Sequence, residues 1–249
     1  MLRLSDLTII PSRAALGEIP DGKQLINTIN AHSYNVAQND PLFAQALAGG
    51  DYLIPDGASI VKACRWLKAK SQPRERIAGW DLFEHEMQRL ESRAAGGGRR
   101  RSVMFMGSSE RVLQLIRERA AHDYPHLDVT VYSPPYKPEF SDDDNRAIIS
   151  AINAARPDLL WIGMTAPKQE KWTYAHWAEL DIDCHVGTIG AVFDFYAGTA
   201  RRAPLWWQQH SLEWLYRLVK EPRRMWRRYV IGNPLFLWNI FSEKMRGEK

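Results

Sequence analysis

Short apolar runs alternate with longer segments of helical periodicity from about residue 25 to residue 195. Six of the short runs are predicted to form strands: Leu25–Ala31, Tyr52–Ile54, Ser102–Met106, Asp128–Tyr132, Asp158–Ile162 and Asp183–Val186. The segments between them are predicted to form helices: Asn39–Ala48, Ala58–Ala69, Asp81–Ala94, Glu110–His122, Ser141–Ala155 and Lys168–Glu179. This repeated succession indicates the α/β class, with a mostly parallel, Rossmann-like sheet flanked by helices.

The pattern changes after Gly198, where tryptophan and arginine become frequent. If residues 214–231 formed one continuous helix, its basic side chains would occupy an arc of roughly 140°. These are Arg217, Lys220, Arg223, Arg224, Arg227 and Arg228. Pro222 must kink or divide such a helix. We therefore predict an α/β domain over residues 1–200 and a helical appendage over residues 201–249.

Composition limits the class of protein. With 249 residues and 45% apolar content, the chain can bury a substantial core. Its two cysteines, Cys64 and Cys184, show neither a disulfide framework nor zinc-ligand spacing. Neither a secretory signal nor a bilayer-spanning apolar stretch is visible, so we expect a cytoplasmic protein that is soluble or peripheral to a membrane.

Charge is distributed unevenly along the chain. The net charge is +7 from Arg201 onward and −3 over residues 1–200, which together give the chain's total of +4. A basic tail on a mildly acidic body indicates an anionic partner, which can be a phosphate-bearing substrate, a membrane surface or nucleic acid. The alternative is a docking helix whose arginines are only solvated.

The segment Ala94–Arg101 places three glycines and three arginines just before a predicted strand. A phosphate-binding loop normally follows a strand and opens a helix. We therefore interpret this segment as a flexible surface loop.

Polar residues that follow the predicted strands are the candidates for chemistry. Asp56 comes directly after one strand, at the sheet edge where open α/β folds bind ligands, although Pro-Asp-Gly is also a common turn. Asn30 ends another strand and can offer its amide to a sugar or a phosphate, or serve as an ordinary strand-end group. Arg76 can neutralise a diphosphate, or form an exposed ion pair with Glu75.

Two glycine-bearing turns leave strands in a similar way, one at Gly107 and one at Gly163. The second opens a helix and brings Lys168 and Gln169 beside backbone N–H groups that can face the crevice. Neither turn has the spacing of a dinucleotide fingerprint or a P-loop, which disfavours a nicotinamide-dependent oxidoreductase.

Asp194 stands between two phenylalanines after the last predicted strand. Its carboxylate can accept hydrogen bonds from ribose hydroxyls or a uracil N–H, or it can pair with Arg201 or Arg202. The histidines lack metal-ligand spacing, so we predict no metal and no cofactor.

Several motifs occur in order along the chain: PDG at Asp56, RIAGWDL at Arg76–Leu82, PKQE at Pro167–Glu170, then GAVFDFYAG, RAP and LEWLYRLVKEPRRMWRRY. In this order they resemble the WecG/TagA/CpsF family of bacterial glycosyltransferases. The resemblance covers about residues 25–230, and residues 1–24 match little. Thr165-Ala166 departs from the glycine or serine that often precedes PKQE in the family.

The resemblance implies an inverting, metal-independent transferase. Such an enzyme moves a hexose or an N-acetylhexosamine from a UDP-sugar onto a polyprenyl-diphosphate-linked saccharide, in cell-envelope or exopolysaccharide synthesis. It would act as a peripheral protein on the inner face of the cytoplasmic membrane. Residues 1–200 would bind the nucleotide sugar, and the appendage would close the active site and contact the anionic membrane.

The resemblance also implies roles for individual residues. Asp56 would be the general base, with Thr28, Asn30 and Gln169 beside it in the substrate pocket. The nucleotide side would include Tyr136, Asp194, Gly107, Gly163 and Lys168. Arg217, Arg224 and Arg227 would close over the diphosphate, which Arg76 also contacts.

A function of another class remains open from the residues alone. The basic, aromatic tail can contact phosphates and stack on bases, as in a nucleic-acid-binding module. The acidic body and the lack of a known binding motif disfavour this reading, so we expect no nucleic-acid partner. Formation of a homo-oligomer is left open.

Overall fold

The computed structural model describes residues 2–97, 99–210 and 212–247. Its strands are β1 (Gln24–Ile29), β2 (Tyr52–Pro55), β3 (Arg101–Gly107), β4 (Leu127–Tyr132), β5 (Leu159–Gly163) and β6 (His185–Thr188). They form one sheet in the order β2-β1-β6-β5-β3-β4, and every neighbouring pair is parallel. The predicted α/β class and parallel sheet are confirmed.

Helices connect the strands. In the first part of the chain they are α1 (Ala31–Asn39), α2 (Pro41–Ala48), α3 (Ala58–Leu67), α4 (Gly79–Ala95), α5 (Glu110–Asp123), α6 (Asp142–Ala155), α7 (Lys168–His176) and α8 (Gly190–Tyr196). The C-terminal part adds α9 (Leu205–Gln209), α10 (Glu213–Lys220), α11 (Pro222–Trp226) and α12 (Gly232–Gly247). A π-helical turn, Arg227–Ile231, joins α11 to α12.

The sheet is buried on both faces. Phe105 and Trp161 lie on the face covered by α4, α5 and α8, whereas Met104 and Leu160 lie on the face covered by α6 and α7. Every residue of β5 is buried. Apolar residues on both sides of a strand are what a parallel sheet between two helical layers requires.

The first strand is shorter than predicted because Asn30 begins a helix. The side-chain oxygen of Asn30 accepts hydrogen bonds from the backbone N–H groups of His32 and Ser33, both at 3.0 Å. The hydroxyl of Ser33 accepts in return from the Asn30 N–H at 2.8 Å. This capping box starts α1, which the sequence did not predict, so the predicted strand Leu25–Ala31 ends at Ile29.

The predicted loop at Ala94–Arg101 is shorter in the structure. Helix α4 continues to Ala95, and β3 begins at Arg101. Arg101 is bound to Asp158 at 2.9 Å, so the end of this segment is tied to the sheet. Gly98 lies outside the described residues.

The tail is divided at Pro222, as expected from its missing N–H: α10 ends at Lys220, and α11 begins at the proline. Residues 214–231 therefore form α10, α11 and a π-helical turn instead of one continuous helix, as the proline predicts. Arg227 is exposed, whereas the next residue, Arg228, is half-buried.

Helix α12 packs against the body of the protein. Its Phe236 is buried, with its ring 5.5 Å from that of Tyr34 in α1. The buried carboxylate of Glu243 accepts hydrogen bonds from the N–H groups of Leu4 and Ser5 and from the Tyr34 hydroxyl. The N-terminal segment, α1 and α12 thus share one core. In the described part of the chain, no helix is both long enough and apolar enough to cross a bilayer.

Candidate active site

The carboxyl ends of β1 and β2 hold Asp56 at the edge of the sheet. Its N–H donates to the Ile29 carbonyl at 2.8 Å. The Ile77 N–H donates to the Pro55 carbonyl at 3.1 Å and brings the neighbouring Arg76 to the same edge. Because ligands of open α/β sheets bind outside the carboxyl ends of the strands, Asp56 lies where chemistry is expected.

The Asp56 carboxylate is recessed but reachable, with 31% of its side chain exposed. Burial raises its pKa to about 6; Arg76 opposes this rise, Glu213 adds to it, and Arg228 opposes it. A carboxylate whose pKa lies close to neutrality can take a proton from a hydroxyl group more readily than an ordinary aspartate. The environment of Asp56 therefore suits a general base.

Arg76 connects Asp56 to the C-terminal tail. Its guanidinium lies 3.7 Å from the Asp56 carboxylate and forms an ion pair with Glu213 of α10. Glu213 also pairs with Arg202 at 3.4 Å. Glu75, the alternative partner of Arg76 considered from sequence, instead accepts from the backbone of Arg13 at 2.8 Å. The pairs formed by Glu213 tie α10 to the sheet edge.

A cavity of about 510 Å³ opens beside these ion pairs. Arg13, Arg76, Trp80, Phe195 and Arg202 are among the residues that line it. The Arg202 guanidinium lies over the Trp80 ring, 5.4 Å from its centroid. Cationic and aromatic groups together suit a ligand that carries both sugar rings and phosphate.

Thr28 and Asn30 lie at the end of β1, next to β2. Thr28 pairs in register with Ile54 and is half-buried. The side-chain oxygen of Asn30 is used to cap α1, which is the ordinary strand-end role. Contacts of Thr28 and Asn30 with a substrate remain a prediction.

Gln169 is buried and braces two loops. Its side-chain oxygen accepts from the N–H of Met164 at 3.1 Å and from that of Gly190 at 3.2 Å, and its amide donates to Glu170 at 2.9 Å. Burial raises the pKa of Glu170 to about 7. Gln169 therefore shapes the crevice between the loops that follow β5 and β6, and its direct contact with a substrate remains a prediction.

Gly107 and Gly163 pair in register at the ends of β3 and β5. The backbone of Gly107 has a φ of 120°, and a side chain there would collide with the backbone of Gly163. Gly107 is thus required for close packing of the two strand ends, and a side chain at Gly163 would collide with the Phe193 ring. Both glycines lie at the carboxyl ends of their strands, the sheet edge that also carries Asp56. Their contact with a nucleotide remains a prediction.

Of the other nucleotide-side candidates, Lys168 begins α7, Asp194 lies in α8, and Tyr136 lies between β4 and α6. The Lys168 ammonium donates to the carbonyl of Lys137 at 2.5 Å and so anchors the loop that carries the fully exposed Tyr136. Asp194 is exposed and accepts from the Thr199 hydroxyl at 3.3 Å. Their contacts with a nucleotide remain predictions.

The predicted arginines of the tail differ in their surroundings. Arg217 lies 6.0 Å from the centroid of the ring of Phe195, and Phe195 lines the cavity. Arg224 is exposed and pairs with Glu221 at 2.6 Å, and Arg227 is exposed over the Trp226 ring. Sequence reasoning gave no site role to Glu213, one of two glutamates in the LEWLYRLVKEPRRMWRRY motif. A carboxylate within this basic motif was the available signal.

Comparison with known proteins extends the resemblance. Residues 8–249 match the model of the glycosyl transferase WecG/TagA/CpsF family. The chain belongs to this family. The match begins at residue 8 and reaches residue 249, so the estimate of about 25–230 from motifs was too short. The WecG/TagA/CpsF match therefore also includes residues 8–24, whereas Leu4 and Ser5, which bind Glu243 of α12, precede it.

Similar proteins are named N-acetylglucosaminyldiphosphoundecaprenol N-acetyl-beta-D-mannosaminyltransferase. One from Bacillus spizizenii is 28% identical over 246 residues, which are 98% of this chain and 90% of that protein. One from Bacillus subtilis is 26% identical over 220 residues, or 88% and 80%. One from Staphylococcus aureus is 25% identical over 225 residues, or 90% and 82%. As a member of the WecG/TagA/CpsF family, this chain is a glycosyltransferase.

In residues 2–97, 99–210 and 212–247, no cluster of three or more His, Cys, Asp and Glu side chains could hold a metal ion. The charged groups that act on the pKa of Asp56 are two guanidinium groups, of Arg76 and Arg228, and two carboxylates, of Glu213 and Asp81.

Proposed function

We propose that this glycosyltransferase moves an N-acetylhexosamine or a hexose from a UDP-sugar to a hydroxyl of a polyprenyl-diphosphate-linked saccharide, with inversion at the anomeric carbon. The main support is Asp56, a reachable carboxylate with a pKa of about 6 at the crevice of the sheet. The names of the similar proteins specify an undecaprenyl-diphosphate-linked acceptor and a beta-linked product. They favour this function over nucleic-acid binding.

In the proposed step, Asp56 takes the proton of the acceptor hydroxyl as that oxygen attacks the anomeric carbon. The bond from the anomeric carbon to the phosphate oxygen breaks, and its electron pair leaves with UDP. Arg76, Arg217, Arg224 and Arg227 are proposed to stabilise the diphosphate charges, because guanidinium groups bind phosphate oxygens in pairs. The step needs one base and cationic groups for the diphosphate; Arg76, whose guanidinium lies 3.7 Å from the Asp56 carboxylate, supports this arrangement.

The acceptor lipid requires access to a membrane, and α12 presents an apolar face. Exposed fractions are 67% for Leu237, 66% for Trp238, 47% for Phe241 and 50% for Met245. These residues lie in the tail from Arg201 onward, which carries a net charge of +7. We propose that this face rests on the anionic inner leaflet of the cytoplasmic membrane, where apolar burial and charge attraction add together.

The function is tested by incubating the protein with a panel of UDP-sugars and a polyprenyl-diphosphate-linked monosaccharide, followed by mass spectrometry of the lipid. We expect one added sugar from one or a few donors, at a rate that EDTA leaves unchanged. If no donor extends the lipid, the proposed function is wrong. If turnover strictly requires added Mg²⁺ or Mn²⁺, stabilisation of the leaving group by arginine is insufficient.

The pH profile should show the titration of Asp56. The base works only when deprotonated, and its pKa is raised to about 6. We therefore expect kcat/KM to fall about tenfold for each unit below pH 6 and to be level just above it. Initial rates at subsaturating acceptor, measured from pH 5 to 8, give this curve. An acid limb near pH 4 would mean that the active carboxylate is an ordinary one.

Membrane contact is tested with the double variant Leu237→Ser and Trp238→Ser. Because both side chains are largely exposed, we expect little change in melting temperature, but binding to anionic liposomes should fall at least about tenfold. Leu42→Ser, an exposed leucine on α2, is the control and should bind as the wild type does. Equal binding by the double variant would show that another surface meets the lipid.

A further inference from the structure

Arg228 has surroundings unlike those of its neighbour in the π-helical turn. Arg227 is exposed and lies over the Trp226 ring, 5.4 Å from its centroid. Arg228 is half-buried, and its Nε atom is buried with no hydrogen-bond partner among the described residues. A buried guanidinium nitrogen without an acceptor is unfavourable unless something binds there.

The charges around Arg228 are unbalanced. Burial lowers its pKa, and the nearby Arg217 and Arg224 lower it further, while Tyr229 and Asp56 oppose this. The Asp56 carboxylate also lies 3.7 Å from the Arg76 guanidinium. Arg224 is itself paired with Glu221. The charged side chains that act on Arg228 are thus two further arginines and one carboxylate, Asp56, whose pKa is raised.

His32 adds no positive charge to this group. Burial and the nearby Arg228 lower its pKa to about 4, so its imidazole is neutral at physiological pH. It lies in the first turn of α1, close to the Asn30 cap. The cationic groups beside Arg228 are therefore the arginines Arg217 and Arg224.

We propose that Arg228 is a diphosphate-binding residue of the active site, placed beside Asp56 and completing a cluster with Arg217 and Arg224. A diphosphate supplies negative charge to these three arginines and an acceptor for the buried Nε atom of Arg228. The diphosphate belongs either to the departing UDP or to the acceptor lipid, because both molecules carry this group. The proposal rests on the proposed function, because it assigns a ligand to that same site.

The test compares Arg228→Gln with Arg223→Gln, which removes an exposed arginine of α11 that has no assigned role. Isothermal titration calorimetry measures the affinity for UDP and, separately, for farnesyl diphosphate. We expect Arg228→Gln to weaken binding of at least one of them by about tenfold to a hundredfold, the loss typical of a charged hydrogen bond. Arg223→Gln should stay within about twofold. The ligand that is weakened identifies the source of the diphosphate.

A purely structural role of Arg228 would give a different result. If Arg228 only stabilised the fold, its removal would lower the melting temperature. Because its Nε atom has no hydrogen-bond partner among the described residues, we expect the ligand-free Arg228→Gln variant to melt no lower than the wild type. Arg228→Lys should restore part of the affinity, because charge remains but paired hydrogen bonding is lost.

Unchanged affinity of Arg228→Gln for both ligands, or equal losses in Arg223→Gln, would overturn the proposal. Binding does not depend on turnover, so the two hypotheses fail separately. A wild type that binds UDP and extends the lipid, with no effect at Arg228, removes only this inference. A wild type that extends no lipid in the donor panel removes the proposed function, whatever the calorimetry shows.

Discussion

Asp56→Asn is expected to lower kcat by about a thousandfold, because general-base catalysis by one side chain is typically worth 10²–10⁴ in rate. The amide has nearly the same shape as the carboxylate but cannot accept the proton of the acceptor hydroxyl. Affinity for UDP, measured by calorimetry, should be close to that of the wild type. Initial-rate assays with saturating donor and acceptor measure the loss. Asp142→Asn, an exposed position in the first turn of α6, is the control.

The same variant should fold normally, and the sign of its stability change can be derived. The pKa of Asp56 is raised from 3.8 to about 6 in the folded state, so the folded protein binds the proton more tightly than the unfolded chain does. The wild type therefore loses stability as pH rises through this window, whereas the asparagine variant does not. Its melting temperature at pH 8 should be no lower than that of the wild type. Full turnover of Asp56→Asn would refute the assignment of the base.

Glu243→Ala is expected to lower the free energy of unfolding by about 3 kcal/mol or more, because it removes the acceptor of three buried or partly buried donors. The N–H groups of Leu4 and Ser5 and the hydroxyl of Tyr34 donate to its carboxylate at 3.0, 2.8 and 2.6 Å. Urea unfolding measures the change. Glu139→Ala, at an exposed position, should stay within about 0.5 kcal/mol of the wild type.

An unchanged midpoint in Glu243→Ala would mean that α12 is not integrated with the N-terminal segment. The expected loss also affects how the tail is studied. Removing all residues after Gly198 would strip Phe236, Ile240 and Glu243 from a core shared with α1. Loss of activity on truncation would then follow from unfolding as well as from lost membrane contact, so point variants of α12 are the better probe.

The order of strands and helices followed from the sequence because periodicity is a local property. Its errors arose where one side chain decided the local structure. Asn30 follows the end of β1 and caps α1. The cap is a capping box that also needs the Ser33 side chain, so Asn30 alone did not reveal it. Pro222 was recognised as a breaker, but the sequence alone did not show that the tail divides completely there.

The site was predictable to a similar degree. Asp56 follows from its place after a strand, which fixes it at the sheet edge. Gln169 was expected beside a substrate, yet its amide is used to join two loops far apart in sequence. Glu213 and Arg228 are brought close to Arg76 and Asp56 by the course of the C-terminal tail, which the sequence alone did not give. Adjacent residues of a helical turn point in different directions, so Arg227 and Arg228 could not be told apart before that path was known.

The configuration of the new glycosidic bond tests the single displacement at Asp56 most directly. The lipid product formed from a UDP-sugar can be read by NMR, through the one-bond carbon–proton coupling at the anomeric carbon. Attack by a hydroxyl that Asp56 deprotonates, opposite the departing UDP, gives a β-linked sugar from an α-linked donor. An α-linked product would require a second displacement and would contradict the role given to Asp56.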